Sequence, residues 1–290
     1  MSSFHDRSTI AFATCRAYAD LDPDDHLLIP PLDRRGIDVE AAVWDDPSID
    51  WDRYDAVVLR STWDYPDAYD AFLLWAADVP RLINPVEMVR WNTDKRYLLD
   101  LAADGIEIVS TVFARADEPV PPVPADWTEL VVKPATSAGS RETARYSRDD
   151  DRVRPHIERI LAAGRVAMLQ PYHHGVDVRG ETGLVYAGGK FSHAFRKGPL
   201  LEPGGAMTDQ LFAPEDISPR TPTPQERDLG DAAIRYVTSR FGTPAYARVD
   251  LLPGPQVIEV ELTEPSLYLS YAAGAADRAA AAIAAKIGRP

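Results

Sequence analysis

The first 61 residues carry three short apolar runs: STIAFAT (8–14), IDVEAAVW (37–44) and DAVVLRS (55–61). Each has the length and apolar content of a buried strand. Residues 15–36 are too many for a hairpin turn and long enough for a crossover helix. Strands joined in that way lie parallel. The chain is therefore expected to be α/β or α+β, opening on a parallel sheet. TCRAYADLDPDD follows the first run, where a dinucleotide fold would carry G-x-G-x-x-G, so that fold has no support.

Further strand-like runs are IEIVSTVFA (106–114), ELVVKPA (129–135), VAMLQPY (166–172), the long TGLVYAGGKFSHAFRKG (182–198), YARVDLL (246–252) and QVIEVEL (256–262). Between them, 92–104 reads as a helix with Asn92 as its N-cap and Gly105 as its stop. DRVRPHIERILAAG (151–164) reads as a second helix. Thr223-Pro224-Gln225-Glu226 is a capping box that starts a third, ended by Gly242. The Ala-rich C-terminus predicts a fourth helix, and PVPPVP (119–124) a surface loop. The expected organisation is three lobes, at about 1–90, 106–170 and 171–290.

Charge narrows the function. With 31 basic and 45 acidic residues, a net charge of −14 disfavours nucleic acid as a partner. No apolar run is long enough to span a bilayer, and MSSFHDRSTIAFAT does not read as a signal peptide. Cys15 is the only cysteine, so no internal disulfide is expected and a cytoplasmic location is the natural reading.

The chemistry concentrates in ARVDLLPGPQVIEVELTEPS (247–266), where acids interrupt two apolar runs. Arg248 and Asp250 are two apart on one strand, and Glu259 and Glu261 two apart on the next, so each pair shares a face. A hairpin about Gly254-Pro255-Gln256 brings all four together. Three carboxylates on one face repel unless a cation screens them, and oxygen ligands suit Mg²⁺ or Mn²⁺ rather than zinc. The alternative is a solvated hairpin face. Lys133 ends an apolar run and precedes the small residues Ser137, Ala138, Gly139 and Ser140, whose backbone could approach phosphate or form an ordinary turn. Taken alone, Lys95, Arg196 and Lys197 read as solvated lysines and an arginine.

In order and spacing these pieces resemble the ATP-grasp superfamily, in particular ligases similar to the prokaryotic glutathione synthetases. INPVEMVRWNTDKRYLL (83–99), LVVKPATSAGSRETARY (130–146), MLQPYHHGVDVRGET (168–182) and RVDLL…VIEVELTEP carry the likeness over most of the chain. The resemblance implies ATP bound by Lys95, Lys133 and the loop Ser137–Ala138–Gly139–Ser140. Gln170, Pro171 and Tyr172 would lie near the adenine and Glu181 at the ribose. Arg196, with Lys197 beside it, would face the phosphates. Asp250, Glu259 and Glu261 would hold Mg²⁺, or Mn²⁺, and Arg248 would steady the acyl centre. Glu261 departs from the pattern, standing where many members have Asn.

DAVVLRSTWDYP (55–66) and FSHAFRKGPLL (191–201) are similar to the group that includes the O-ureido-D-serine cyclo-ligases. This implies a substrate-binding domain over 1–90, a linking helix and lid over 91–170, and a metal-binding domain over 171–290. It implies a small amino-acid-like substrate, held by Arg60, Ser61, Trp63 and Asp64, with Arg60 on a carboxylate and Asp64 on an ammonium. The other reading of RSTWDYP is a structural turn around a packed Trp. The expected reaction is ATP-driven formation of a C–N bond through an acyl phosphate, by ring closure or by joining two molecules. A nucleotide-binding module without turnover and a kinase are the competing classes. Related ligases are often dimers or tetramers, so a homo-oligomer is compatible with the resemblance.

Overall fold

A computed structural model describes residues 7–204 and 215–288. The chain opens with β1 (Ser8–Thr14), α1 (Ile29–Asp33), β2 (Ile37–Val43), β3 (Ala56–Leu59), α2 (Tyr69–Asp78) and β4 (Leu82–Ile83). The four strands form one sheet in the order β2-β1-β3-β4, every pair parallel. Ile10 and Phe12 are fully buried in β1, as a parallel sheet covered on both faces requires. The expected crossover helix is short. A 3₁₀ turn, Asp25–Leu28, runs into the five residues of α1. Pro30 and Pro31 explain this: without N–H groups they fit only a first helical turn.

The next segment corrects the sequence reading. The helix expected over 92–104 is shorter, α4 (Tyr97–Ala103), and a separate helix, α3 (Val86–Asn92), ends where it was expected to begin. Asn92 ends α3 instead of capping α4. Its side chain donates to the Val260 carbonyl at 2.6 Å and accepts from the Leu262 amide at 2.7 Å. The Tyr97 hydroxyl likewise donates to the Val260 carbonyl and accepts from its amide. Val260 lies on an edge strand and Leu262 just past its end, where the outward N–H and C=O have no strand partner. Side-chain satisfaction of that edge outweighs local capping.

The central segment holds β5 (Val112–Ala114), β6 (Glu129–Pro134), β7 (Ala144–Ser147), α5 (Val153–Ala162) and β8 (Ala167–Pro171). Its antiparallel sheet runs β5-β8-β6-β7. Val153, Ile157 and Ile160 of α5 close a core against Leu130, Val132 and Leu169. IEIVSTVFA yields only a three-residue strand there, because Ile108 bridges to Val257 in a different sheet.

The remainder comprises α6 (Gly175–Arg179), β9 (Glu181–Ala187), β10 (Lys190–Lys197), β11 (Ile217–Arg220), α7 (Pro224–Phe241), β12 (Tyr246–Leu252), β13 (Gln256–Glu261) and α8 (Ala275–Ile287). The antiparallel sheet order is β11-β10-β9-β12-β13. The long run 182–198 turns at Gly188 and Gly189, both with positive φ, into the β9–β10 hairpin. The capping box at Thr223 is present in full, with both reciprocal hydrogen bonds. Ala279, Ala280 and Ile283 of α8 pack with Leu28 and Leu32 of the first segment, tying the two ends of the chain together.

Candidate active site

The site is built on the β12–β13 hairpin. Its register pairs Arg248 with Glu261 and Asp250 with Glu259, so all four side chains share one face. That face is largely shielded from solvent: Asp250 is 3% exposed and Arg248 6%, while Glu259 and Glu261 are partly buried. Arg248 donates from Nε to Asp250 Oδ1 at 2.9 Å and from Nη2 to Asp250 Oδ2 at 2.8 Å. Nη2 also reaches Glu261, and Nη1 donates to the Ser266 carbonyl at 3.0 Å. One carboxylate oxygen from each of Asp250, Glu259 and Glu261 lies within 4.8 Å of the others. Burial pushes the Glu261 carboxyl up to about 8; Arg248 opposes this, and Glu259 and Asp250 add to it. Burial pushes Glu259 up too, but Lys95, Lys133 and Arg248 together hold it below the usual carboxylate range.

The central sheet faces this hairpin across a cleft. Lys133, on β6, is 9% exposed. Burial lowers its ammonium to about 8, with Glu259 opposing and Lys95 reinforcing. Lys95 stands between α3 and α4. It reaches Glu259 Oε1 at 3.1 Å and donates to the Ser137 carbonyl at 2.8 Å. Ser137, Ala138, Gly139 and Ser140 line the same wall, and Gly139 and Ser140 both take left-handed backbone (φ +62° and +59°). Gln170, Pro171 and Tyr172 also line the cleft. Gln170 donates to Thr111 Oγ1 at 3.1 Å, which leaves its Oε1 buried without a partner among the described residues. Val131, Leu252 and Ile258 supply apolar walls beside it. An apolar slot ending in a free acceptor suits a flat ring that bears an N–H donor.

The two basic residues of β10 separate by strand alternation. Lys197 enters the cleft, 3.3 Å from Glu181 and 3.8 Å from Glu215. Arg196 turns away: it pairs with Asp216 at 2.9 Å and donates to the Arg179 carbonyl at 3.2 Å, and it is not on the cleft wall. Of the two basic residues, the structure brings Lys197 into the cleft and leaves Arg196 off its wall. Glu181 does line the cleft.

The RSTWDYP segment divides in the same way. Arg60 is 2% exposed; its Nε donates to Asp25 Oδ1 at 2.8 Å and its Nη2 to the Pro265 carbonyl at 3.0 Å. Ser61 donates to Asp25 Oδ2 at 2.7 Å. Asp64 accepts the Trp44 indole N–H at 2.7 Å. None of these three lines the cleft, so the structure gives them packing partners where substrate contacts were expected. Trp63 does line it, with its indole donating to the Glu264 carbonyl at 3.1 Å.

Sequence reasoning passed over Tyr65, Glu215, Glu264 and Tyr268, which also line the cleft. Glu264 had a signal: it is a fourth acid in the same acid-interrupted stretch, next to Pro265. Tyr268 and Glu215, which hydrogen-bond to each other, come together only through the fold and had none.

Comparison with known proteins bears on this arrangement. Residues 10–84 match the family described as the N-terminal domain of D-cycloserine synthetase DcsG. The chain is 36% identical over 270 residues to the cycloserine biosynthesis protein DcsG of Streptomyces lavendulae, covering 87% of this chain and 90% of that protein. The crystal structure of D-cycloserine synthetase DcsG superposes with a TM-score of 0.88 at 33% identity, over 96% of this chain and 99% of that one. A D-alanine–D-alanine ligase from Bacillus anthracis complexed with ATP gives a TM-score of 0.63 at 15% identity, covering 97% of each chain, which is a likeness of fold. No helix among the described residues is long and apolar enough to cross a membrane.

Proposed function

The chain belongs to the family of D-cycloserine synthetase DcsG, among the ATP-grasp ligases, and on that premise we propose how its cleft forms a C–N bond and on what. The substrate is a small amino-acid-type molecule, and the reaction closes a ring within it, O-ureido-D-serine giving D-cycloserine. The observation that carries this is the cleft itself. Six carboxylates (Asp250, Glu259, Glu261, Glu264, Glu181 and Glu215) and four cations (Lys95, Lys133, Lys197 and Arg248) converge in one buried space between two sheets. That composition suits a polyphosphate, a divalent cation and a zwitterion together.

ATP lies with its base in the slot of Val131, Leu252 and Ile258, its N–H donor toward Gln170 Oε1. Lys95, Lys133 and Lys197 face the phosphates, with the backbone of 137–140 closing over them. The donor set at Asp250, Glu259 and Glu261 is all oxygen and close enough to converge on one ion, which fits a hard cation such as Mg²⁺ or Mn²⁺. When bound, that ion supplies positive charge against the phosphate oxygens. A substrate carboxylate oxygen attacks the γ-phosphorus and ADP leaves. The substrate nitrogen then attacks the acyl carbon, loses its proton, and phosphate leaves. Arg248, fixed by Asp250 and the Ser266 carbonyl, meets the negative charge that develops on the acyl oxygen. Positioning and electrostatics do the rest, as in phosphoryl transfer generally. Residues 1–90 close the substrate end through Trp63 and Tyr65, 91–170 bring Lys95 and Lys133, and 171–290 bring the carboxylates.

The test is ADP release with Mg²⁺, ATP and O-ureido-D-serine, followed by mass analysis. ADP release with a cyclic product built from one substrate molecule supports the reading. ADP release that requires two amino acids, with a product containing both, makes the protein an intermolecular ligase instead.

A further inference from the structure

Nine of the ten charged groups of the cleft have a role above or an ion-pair partner in the protein. Glu264 has neither. It is 9% exposed and lines the cleft, and its carboxylate has no hydrogen-bond or ion-pair partner on any other described residue. An unpaired carboxylate that far from water is costly. Burial pushes its carboxyl up to about 7, against Lys95 and with Glu259. It is not one of the three acids whose oxygens gather within 4.8 Å, so the metal cluster does not account for it.

Its surroundings are specific. The backbone of Glu264 is pinned by the Trp63 indole, which donates to its carbonyl at 3.1 Å. Two residues on, the Ser266 carbonyl accepts from Arg248. Tyr65 is 2% exposed and lines the same cleft; after burial, Glu264 is the charge that raises its phenol most. Two aromatic rings, an acid without a partner and an arginine thus share the cleft wall. A carboxylate beside aromatic faces is a receptor for an ammonium. An arginine close by favours a carboxyl group on the same small molecule.

We propose that Glu264 binds the α-ammonium of the substrate and is the residue that makes the cleft select amino acids over carboxylic acids lacking the amine. This rests on the ligase reading for the identity of the molecule, but not for the binding itself. It replaces Asp64 in that role, since Asp64 holds the Trp44 indole outside the cleft.

The test is a two-by-two comparison by calorimetry. Wild type and Glu264→Gln, each saturated with Mg²⁺ and a non-hydrolysable ATP analogue, are titrated with O-ureido-D-serine and with its counterpart lacking the α-amine. Wild type is expected to prefer the amine-bearing compound at least tenfold, and Glu264→Gln to lose most of that preference while binding the ATP analogue within about threefold of wild type. Glu264→Asp is expected to recover part of it, which a purely structural role would not. The proposal is overturned if Glu264→Gln keeps the wild-type preference, if wild type binds both compounds equally, or if it binds neither. Turnover separates the two readings: amine-dependent binding lost in Glu264→Gln, with no ADP release by wild type, contradicts the ligase substrate and leaves Glu264 as the ammonium site.

Discussion

Arg60 and Arg248 are both almost fully buried arginines, at 2% and 6% exposure, and both reach the loop after β13. Their surroundings differ in charge balance. Arg60 pairs with one carboxylate, Asp25, which Ser61 also satisfies, so its charge is matched although its Nη1 is buried without a hydrogen-bond partner among the described residues. Arg248 sits among six carboxylates that share four cations, a surplus of two acids (6 − 4). Two groups there, Glu261 and Glu264, are pushed up by burial, to about 8 and about 7. A balanced buried pair holds a fold together. An unbalanced one is waiting for a ligand that carries the opposite charge.

The largest expected effect breaks the unbalanced site. Arg248→Gln should lower kcat for ADP release by roughly 10³–10⁵, the range seen when a transition-state arginine is removed. Arg248→Lys should recover little, because an ammonium cannot hold Asp250 in two places. Breaking the balanced site should instead cost stability. Arg60→Ala strands Asp25 and should lower the free energy of unfolding in urea by about 3–5 kcal/mol. Arg60→Leu with Asp25→Leu together should recover much of that loss; a double variant as unstable as the single one would contradict the balance argument.

His156 sharpens the comparison, because it is satisfied as a neutral group. It is 3% exposed, its Nδ1 accepts from the Tyr146 hydroxyl and its Nε2 donates to the Glu142 carbonyl. Burial, with Arg159, holds it down to about 4. The unfolded chain takes up a proton near 6.5 and the folded chain does not, so stability should fall as pH drops from about 6.5 to 4, by at most about 3 kcal/mol. His156→Gln should flatten that slope in urea titrations at pH 7 and pH 4.5. The smallest effect concerns Glu261. Its folded carboxyl lies above the unfolded value, so its contribution to stability falls as pH rises toward 8. Glu261→Gln should stabilise the ligand-free protein by about 1–2 kcal/mol at pH 8 and by less at pH 6.

What the sequence disclosed follows the range of the forces involved. Strand alternation placed Arg248, Asp250, Glu259 and Glu261 on one face before any fold was known, because a hairpin register is local. The Thr223 capping box and the parallel β1–β2–β3 sheet were legible for the same reason. The assignment of Asn92 as a cap failed because a distant edge strand competed for its amide. The choice between Arg196 and Lys197 could not be made from two adjacent basic residues, since which one faces the cleft depends on the register with β9. Arg60 looked free for a ligand only because Asp25, thirty-five residues earlier, gives no sign in the sequence that it will fold back onto it.

The central claim is that Asp250, Glu259 and Glu261 form a divalent-cation site that serves ATP turnover. It is tested most directly by ADP release, as a function of Mg²⁺, in wild type and in Asp250→Asn with Glu259→Gln. Wild type should show saturable Mg²⁺ dependence, and the double variant should fall by about 10³ or more at every concentration. A double variant that releases ADP in the presence of substrate as fast as wild type would contradict the account.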